Sequence, residues 1–276
     1  MQNISLSLIQ TPLHWENPKK NLELFSAKIE QIKDQTDLIV LPEMFTSGFS
    51  MDPAKAAEPM DGTAVEWMRR TAAERDCVVT GSLAVVEGNR YFNRLVWMRP
   101  DGTFSQYDKY HLFSFAGENK HYTRGTGKLI VELKGWKIMP LICYDLRFPI
   151  WSRNAWDPDK GFDYDVLLYV ANWPESRSHA WRVLLMARAV ENQSYVVGLN
   201  RIGVDGNGVS HSGDSAVIDP TGENLGNFMP HREQTETIVL PRCPLTSFRD
   251  KFRAWADWDR AEVIPPAHPS PPAGSQ

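Results

Sequence analysis

The apolar residues of this chain fall in a series of short runs rather than in long helical or membrane-spanning ones. They are Ile4–Ile9, Leu38–Leu41, Cys77–Val86, Arg90–Met98, Lys137–Cys143, Val166–Val170, Tyr195–Asn200, Ser215–Ile218 and Thr237–Leu240. Runs of this length, set between turn residues, read as strands buried on at least one face. Helical patterns separate some of them. One runs from Pro18 to about Ile32, with Asn17 as N-cap, Pro18 at the first helical position and Leu22, Phe25, Ile29 and Ile32 at helical spacing. A second begins at Thr63, where Thr63 and Glu66 have the spacing of a capping box. A third spans about His179 to Asn192 and is expected to bury Trp181, Leu184, Leu185 and Ala189. The runs at 77–86 and 90–98, joined by Glu87-Gly88-Asn89, read as a hairpin followed by a Pro100-Asp101-Gly102 turn. Helix crossovers mixed with hairpins imply an α/β layered fold with a mixed sheet or two packed sheets.

Length sets few further limits. A chain of 276 residues fits one large domain or two small ones. Without a repeat or an internal linker, residues 1–262 read as one domain. Residues 263–276 are Pro-rich, poor in apolar side chains, and unable to form a core of their own. With 42% hydrophobic and 23% charged residues, a net charge of −4 and no basic run, nucleic acid and anionic membranes are poor partners. No apolar stretch approaches the roughly 18 residues of a membrane span, and the first residues do not read as a signal peptide. Cys77, Cys143 and Cys243 are odd in number and far apart, which argues for a reducing compartment, the cytoplasm, and against disulfides or a Cys-x-x-Cys metal site.

Three segments share a pattern in which a reactive residue follows strand structure. Leu38–Pro42 ends on Glu43, Lys137–Ile142 ends on Cys143, and Tyr107-Asp108 leads to Lys109 just after the hairpin and its turn. Ligands gather beyond the carboxyl ends of strands in layered α/β proteins, so the first two could converge there. Taken alone, each has a plainer reading: a core cysteine, a loop glutamate, a lysine snorkelling beside aromatics. Charge following at once on the apolar run, in Tyr144-Asp145-Leu146-Arg147, favours a reachable thiol with a lowered pKa. A carboxylate bracketed by Val40, Leu41, Pro42, Met44 and Phe45 is partly desolvated and usable as a base near neutral pH. Cys77 and Cys243 lack such context and read as structural. Together the three residues make an amide-opening mechanism that needs no metal or cofactor: Glu43 takes the thiol proton, the thiolate attacks, and Lys109 with the Tyr144 N–H steadies the oxyanion.

In their order and approximate separation, Leu41-Pro42-Glu43-Met44-Phe45, Asp108-Lys109-Tyr110-His111-Leu112-Phe113 and Ile142-Cys143-Tyr144-Asp145-Leu146-Arg147-Phe148-Pro149 resemble the Glu, Lys and Cys motifs of the nitrilase, or carbon–nitrogen hydrolase, superfamily. The resemblance runs from about Ile4 to Leu240 and takes in Ala171–Pro174, Arg188–Asn192 and His211–Ser215. It implies a four-layer α-β-β-α sandwich with two mixed β-sheets that pairs into homodimers or larger assemblies. It also implies a second glutamate, here Glu118, that positions Lys109; the plainer reading of Glu118 is a surface loop acid. The segment after Cys143 looks most like the omega-amidase branch, of the bacterial type similar to 2-oxoglutaramate amidase. A small ω-amide bearing a carboxylate is then the expected substrate, with Arg147 on that carboxylate through two parallel hydrogen bonds. The plainer reading of Arg147 is an ion pair with Asp145 or another acid. Tyr144, Asn172 and Trp173 complete the expected substrate-binding set, Trp173 reading nearly as well as core, while Arg188–Asn192 is assigned to packing or a subunit interface. Three rival readings stay open: another branch such as a carbamoylase or broad amidase, a catalytically silent binding member, and an unrelated Cys–His hydrolase using His111, His179 or His211.

Overall fold

The computed structural model describes residues 2–260 and 262–264. Its framework is two mixed sheets. The first has six strands in the order Gln234–Leu240, Ile4–Gln10, Leu38–Val40, Val78–Glu87, Arg90–Met98 and Phe104–Asp108. The second has five, in the order Ala216–Ile218, Tyr195–Asn200, Val166–Ala171, Trp136–Ile142 and Val131–Leu133. In each sheet the central three strands are parallel and the outer ones antiparallel.

Side-chain alternation explains why the strands read as unbroken apolar runs. Ile4, Leu6, Leu8, Leu38, Val40 and Val78 point into the core between the sheets, against Ile138, Val166 and Leu168. The intervening residues Ile9, Ile39, Leu41 and Val79 point outward, against Phe25 and Ile29 of the helix Pro18–Glu30 and Val65, Met68 and Ala72 of the helix Thr63–Arg75. Both faces of the parallel strands are therefore buried, which a period of two then fills with apolar residues throughout. The helix Ser178–Asn192 covers the second sheet through Trp181, Leu185 and Ala189, with Leu184 only half-buried. It lies so close that a Cβ at Gly198 would come within 2.5 Å of Leu185, so only glycine fits. The result is the expected α-β-β-α layering.

Local signals held unevenly. Asn17 caps its helix as expected, its side chain accepting from the Lys20 N–H at 3.1 Å. The Thr63–Glu66 capping box does not form: Gly62 is the N-cap, and Glu58 accepts from the Ala64 N–H at 3.1 Å. A Cβ at residue 62 would collide with the Glu58 carboxylate, so glycine admits an acid from elsewhere and Thr63 is left already inside the helix. The strand Phe104–Asp108, which delivers Lys109, follows the 90–98 run through a turn and pairs with it. The Pro-rich stretch 265–276 lies outside the described residues. No helix among the described residues is long and apolar enough to cross a membrane.

Candidate active site

Strand ends from both sheets meet at one rim. Glu43 follows Leu38–Val40, Cys143 follows Trp136–Ile142, and Asn172 follows Val166–Ala171, each at the carboxyl end of a parallel strand. Lys109 enters from the end of Phe104–Asp108, and Glu118 opens the short helix Glu118–His121. Glu43, Lys109 and Glu118 are fully buried, and Cys143 is 8% exposed.

The Lys109 ammonium donates to Glu43 Oε1 at 2.8 Å and lies 3.0 Å from Glu118 Oε2. Burial alone would lower the lysine pKa, but the Glu118 and Glu43 carboxylates outweigh it and hold the ammonium firmly charged. Glu118 also accepts from the Phe113 N–H at 2.6 Å, which fixes the loop between lysine and glutamate. Burial pushes the Glu118 carboxyl up despite Lys109, with the Glu43 charge adding to the effect. One cation therefore serves two carboxylates, and the Glu43 charge works with burial against ionisation of Glu118.

The segment also depends on a residue that sequence reasoning did not single out. The Asn93 amide donates to Glu43 Oε1 at 2.8 Å and to Glu118 Oε1 at 3.1 Å, while its oxygen accepts from Ser82 Oγ at 2.8 Å. Ser82 Oγ in turn accepts from the Met44 N–H at 2.9 Å. Asn93 stands fully buried in a strand, and its position as a lone amide among Tyr91, Phe92 and Leu95 was the one hint in the sequence, without indicating its partner.

Cys143 stands at a sharp corner. Ile142 is extended, whereas Cys143 has φ +43, the left-handed region that a side-chain-bearing residue adopts only under constraint. A short 3-10 turn, Cys143–Arg147, follows. Asp145 holds the corner: its carboxylate accepts from the Ile142 N–H at 3.1 Å, the Tyr107 hydroxyl at 2.8 Å and the His111 N–H at 3.0 Å. From behind, Arg188 Nη2 donates to the Leu146 carbonyl at 2.7 Å, consistent with a packing role for that segment.

Two expectations need correction. The thiol pKa is raised, not lowered: burial and the Glu43 carboxylate push it well above its ordinary value, and Lys109 offsets them only in part. The cation near Cys143 is already shared between two acids, so it cannot also hold a resting thiolate. Nor does Arg147 pair with Asp145, whose oxygens are occupied as described. Its guanidinium lies 4.9 Å from the Trp173 ring centroid instead.

Cys143 and Lys109 open on a cavity of about 820 Å³ whose wall also includes Tyr144, Arg147, Asn172 and Trp173. All the expected site residues except the fully interior Glu43 and Glu118 thus face one space. Asn172 does double duty: its N–H donates to Glu43 Oε2 at 2.8 Å and its side-chain amide donates to the Glu43 carbonyl. Its Oδ1 atom is buried and has no hydrogen-bond partner among the described residues. Of the histidines, His111 is committed to Asp145 at 2.8 Å, and His211, although on the cavity wall, is held neutral by burial and Arg201, its pKa lowered to about 4.

A buried Glu–Lys–Glu cluster beside a cysteine on an α-β-β-α sandwich defines a class of hydrolase, and residues 5–249 match the carbon-nitrogen hydrolase family. The chain belongs to that family and is a hydrolase of carbon–nitrogen bonds. It is 45% identical to omega-amidase YafV of Escherichia coli (strain K12), covering 94% of this chain and 98% of that protein. It is 33% identical to the 2-oxoglutaramate amidase of Bacillus subtilis (strain 168), covering 80% and 85% of the two chains. Among solved structures, XC1258 of Xanthomonas campestris, a CN-hydrolase superfamily protein with an arsenic adduct in its active site, superposes with a TM-score of 0.93. That protein is 42% identical, and the match covers 96% of this chain and 100% of its own.

Proposed function

We propose that this hydrolase is an omega-amidase that releases ammonia from a small ω-amide of a dicarboxylic acid, such as 2-oxoglutaramate, through a thioester on Cys143. The observation that carries the reading is the placement of Cys143, the Glu43–Lys109–Glu118 cluster and Arg147, which has no carboxylate partner among the described residues, around one cavity. The names of the two relatives point the same way.

The resting site holds a neutral thiol beside a buried carboxylate. Glu43 takes the Sγ proton as the sulfur attacks the amide carbon, so thiolate forms only as it is used. The developing oxyanion meets the Lys109 ammonium and the Tyr144 N–H, donors held in place before the reaction begins. Asn172 Oδ1 accepts from the substrate's amide nitrogen and turns it toward Glu43, which explains an otherwise orphaned buried acceptor. Glu43 returns the proton to nitrogen, ammonia departs and the thioester remains. Water then gives a proton to Glu43 and hydroxide equivalent to the acyl carbon; as the C–S bond breaks, Glu43 hands that proton to Sγ, freeing the acid and restoring the thiol and the carboxylate. Glu118 and Asn93 keep Lys109 and Glu43 in place throughout. Arg147 binds the remote carboxylate with its guanidinium edge while its face rests on Trp173.

The assembly expected of this reading is a pair of copies meeting through the exposed apolar stripe Val183, Met186 and Val190 on the outer face of the helix Ser178–Asn192. A single-copy mass in solution at micromolar concentration would argue against it.

The test is ammonia release from 2-oxoglutaramate, glutamine, a neutral aliphatic amide and a nitrile, with Cys143→Ala as control. Preference for the oxo-amide, lost in the variant, supports the reading. Cys143-dependent turnover of another substrate keeps the mechanism and removes the substrate. No turnover of any moves the assignment to a carbamoyl substrate or a silent fold.

A further inference from the structure

The reading above uses one guanidinium, yet the cavity wall holds two. Arg177 ends the short turn Glu175–Arg177 that leads into the helix Ser178–Asn192, and it lines the same cavity as Cys143 and Arg147. Its guanidinium carbon lies 5.3 Å from the Phe113 ring centroid and 5.9 Å from that of Phe115. The two arginines are tied together by one side chain. Arg147 rests over the Trp173 ring, and the Trp173 indole N–H donates to the Arg177 carbonyl at 2.8 Å.

No acid of the neighbourhood answers Arg177 among the described residues. Glu175 is taken by Ser210 at 2.6 Å and His231 at 3.1 Å. Asp205 accepts from the Asn207 and Val209 N–H groups of its own loop, and Asp52 pairs with Lys55. A half-buried guanidinium that lies beside two aromatic rings and meets no acid keeps donors for something else.

The chemistry of the substrate supplies the candidate. One guanidinium edge matches the two oxygens of a carboxylate, so Arg147 alone satisfies a plain ω-amide acid. A 2-oxo acid carries a third acceptor on the adjacent carbon, and inside the cavity that oxygen loses water unless a donor meets it. We propose that Arg177 is a specificity-determining residue that donates to the 2-oxo end of the substrate alongside Arg147, so that the pocket selects ω-amides of 2-oxo acids over those of plain acids. This rests on the amidase reading but can be tested apart from turnover. A site with a donor waiting for an oxygen rejects the analogue that lacks it, because the donor is then buried unpaired.

The experiment is calorimetric binding of 2-oxoglutarate and glutarate, acids differing only at the 2-position, to the full-length Cys143→Ala protein. The expected result is tighter binding of 2-oxoglutarate by about 10-fold or more, the scale of one charge-assisted hydrogen bond. Adding Arg177→Gln brings the ratio near one with little change for glutarate, and Arg177→Lys restores part of it. A ratio near one in the parent, a ratio unmoved by Arg177→Gln, or equal loss of both ligands overturns the proposal. Should Arg177→Gln fail to fold, the Lys variant decides alone: a full parental preference without the planar fork overturns it. Ammonia release by the wild type is read separately. An inactive enzyme with the binding preference intact removes the amidase reading and keeps Arg177, whereas an active enzyme without the preference removes Arg177 only.

Discussion

Asn172 holds Glu43 at both ends, its backbone N–H on the carboxylate at 2.8 Å and its side-chain amide on the Glu43 carbonyl. The two residues belong to different sheets, so this grip joins the rims of the sandwich where the proposed base must be aimed. Asn172→Asp keeps the shape, removes the donor to the carbonyl and adds a second negative charge beside Glu43. We expect kcat to fall by about 10-fold or more with a smaller change in KM, on the scale of a buried hydrogen bond turned repulsive. Steady-state kinetics on the best amide check this, and an unchanged kcat would show that Lys109, Asn93 and the backbone N–H of residue 172 aim Glu43 without the side-chain donor.

Glu43→Gln separates two consequences of one carboxylate. Loss of the base should lower amide turnover by about 10²- to 10⁴-fold. The same substitution removes a negative charge that raises the Cys143 pKa, leaving the Lys109 charge less opposed. The pH at which iodoacetamide begins to label Cys143 should therefore move down, not up, in the variant. Labelling that shifts to higher pH would mean that Glu43 favours the thiolate in the resting enzyme, contrary to the electrostatics described.

His211 makes acid stability testable away from the reaction. It is buried beside Arg201, with Asp205 opposing weakly, and its pKa is lowered from the ordinary 6.5 to about 4. The unfolded chain takes up this proton below pH 6.5, while the folded chain does not until about pH 4. The unfolded state thus binds more protons across that window, and the contribution present above pH 6.5 is lost as pH falls toward 4. His211→Gln should flatten this part of the profile, losing a few degrees less of Tm between pH 7.5 and 4.5 than the wild type. Parallel profiles would show that other groups dominate acid unfolding.

What could be read from residues alone follows from how local each signal is. Nine of the eleven strands of the two large sheets, the three helices at 18–30, 63–75 and 178–192, and the Glu43, Lys109 and Cys143 segments were legible because alternation and motif order are contiguous in sequence, whereas Phe104–Asp108 and Val131–Leu133 were not. Glu118 was legible through the family resemblance. Asn93, Ser82 and Arg177 were not. Asn93 meets Glu43 across a 50-residue separation, and nothing near it in sequence announces a partner. The raised thiol pKa was missed for a related reason: a nearby cation was expected, but the two acids that already claim it come from elsewhere in the chain, Glu43 from the end of another strand and Glu118 from a short helix. The Thr63 capping box failed likewise to a competitor, Glu58, lying outside the four-residue window.

Arg147 offers the sharpest reading of substrate charge. Its guanidinium face rests on Trp173 and its edge has no carboxylate partner among the described residues, an arrangement that lysine cannot reproduce because an ammonium has neither planar face nor fork. Arg147→Lys keeps one positive charge but loses the two parallel hydrogen bonds. KM for carboxylate-bearing amides should rise by about 10-fold or more, in line with a loss of roughly 1.5–3 kcal/mol, while kcat/KM for a neutral amide of the same length changes little. The comparison is internal to one protein, so a fold defect would appear as an equal fall on both substrates and assign Arg147 to packing against Trp173. A selective rise in KM places the carboxylate on Arg147, because only the loss of an interaction made equally in the ground and transition states raises KM while leaving kcat in place.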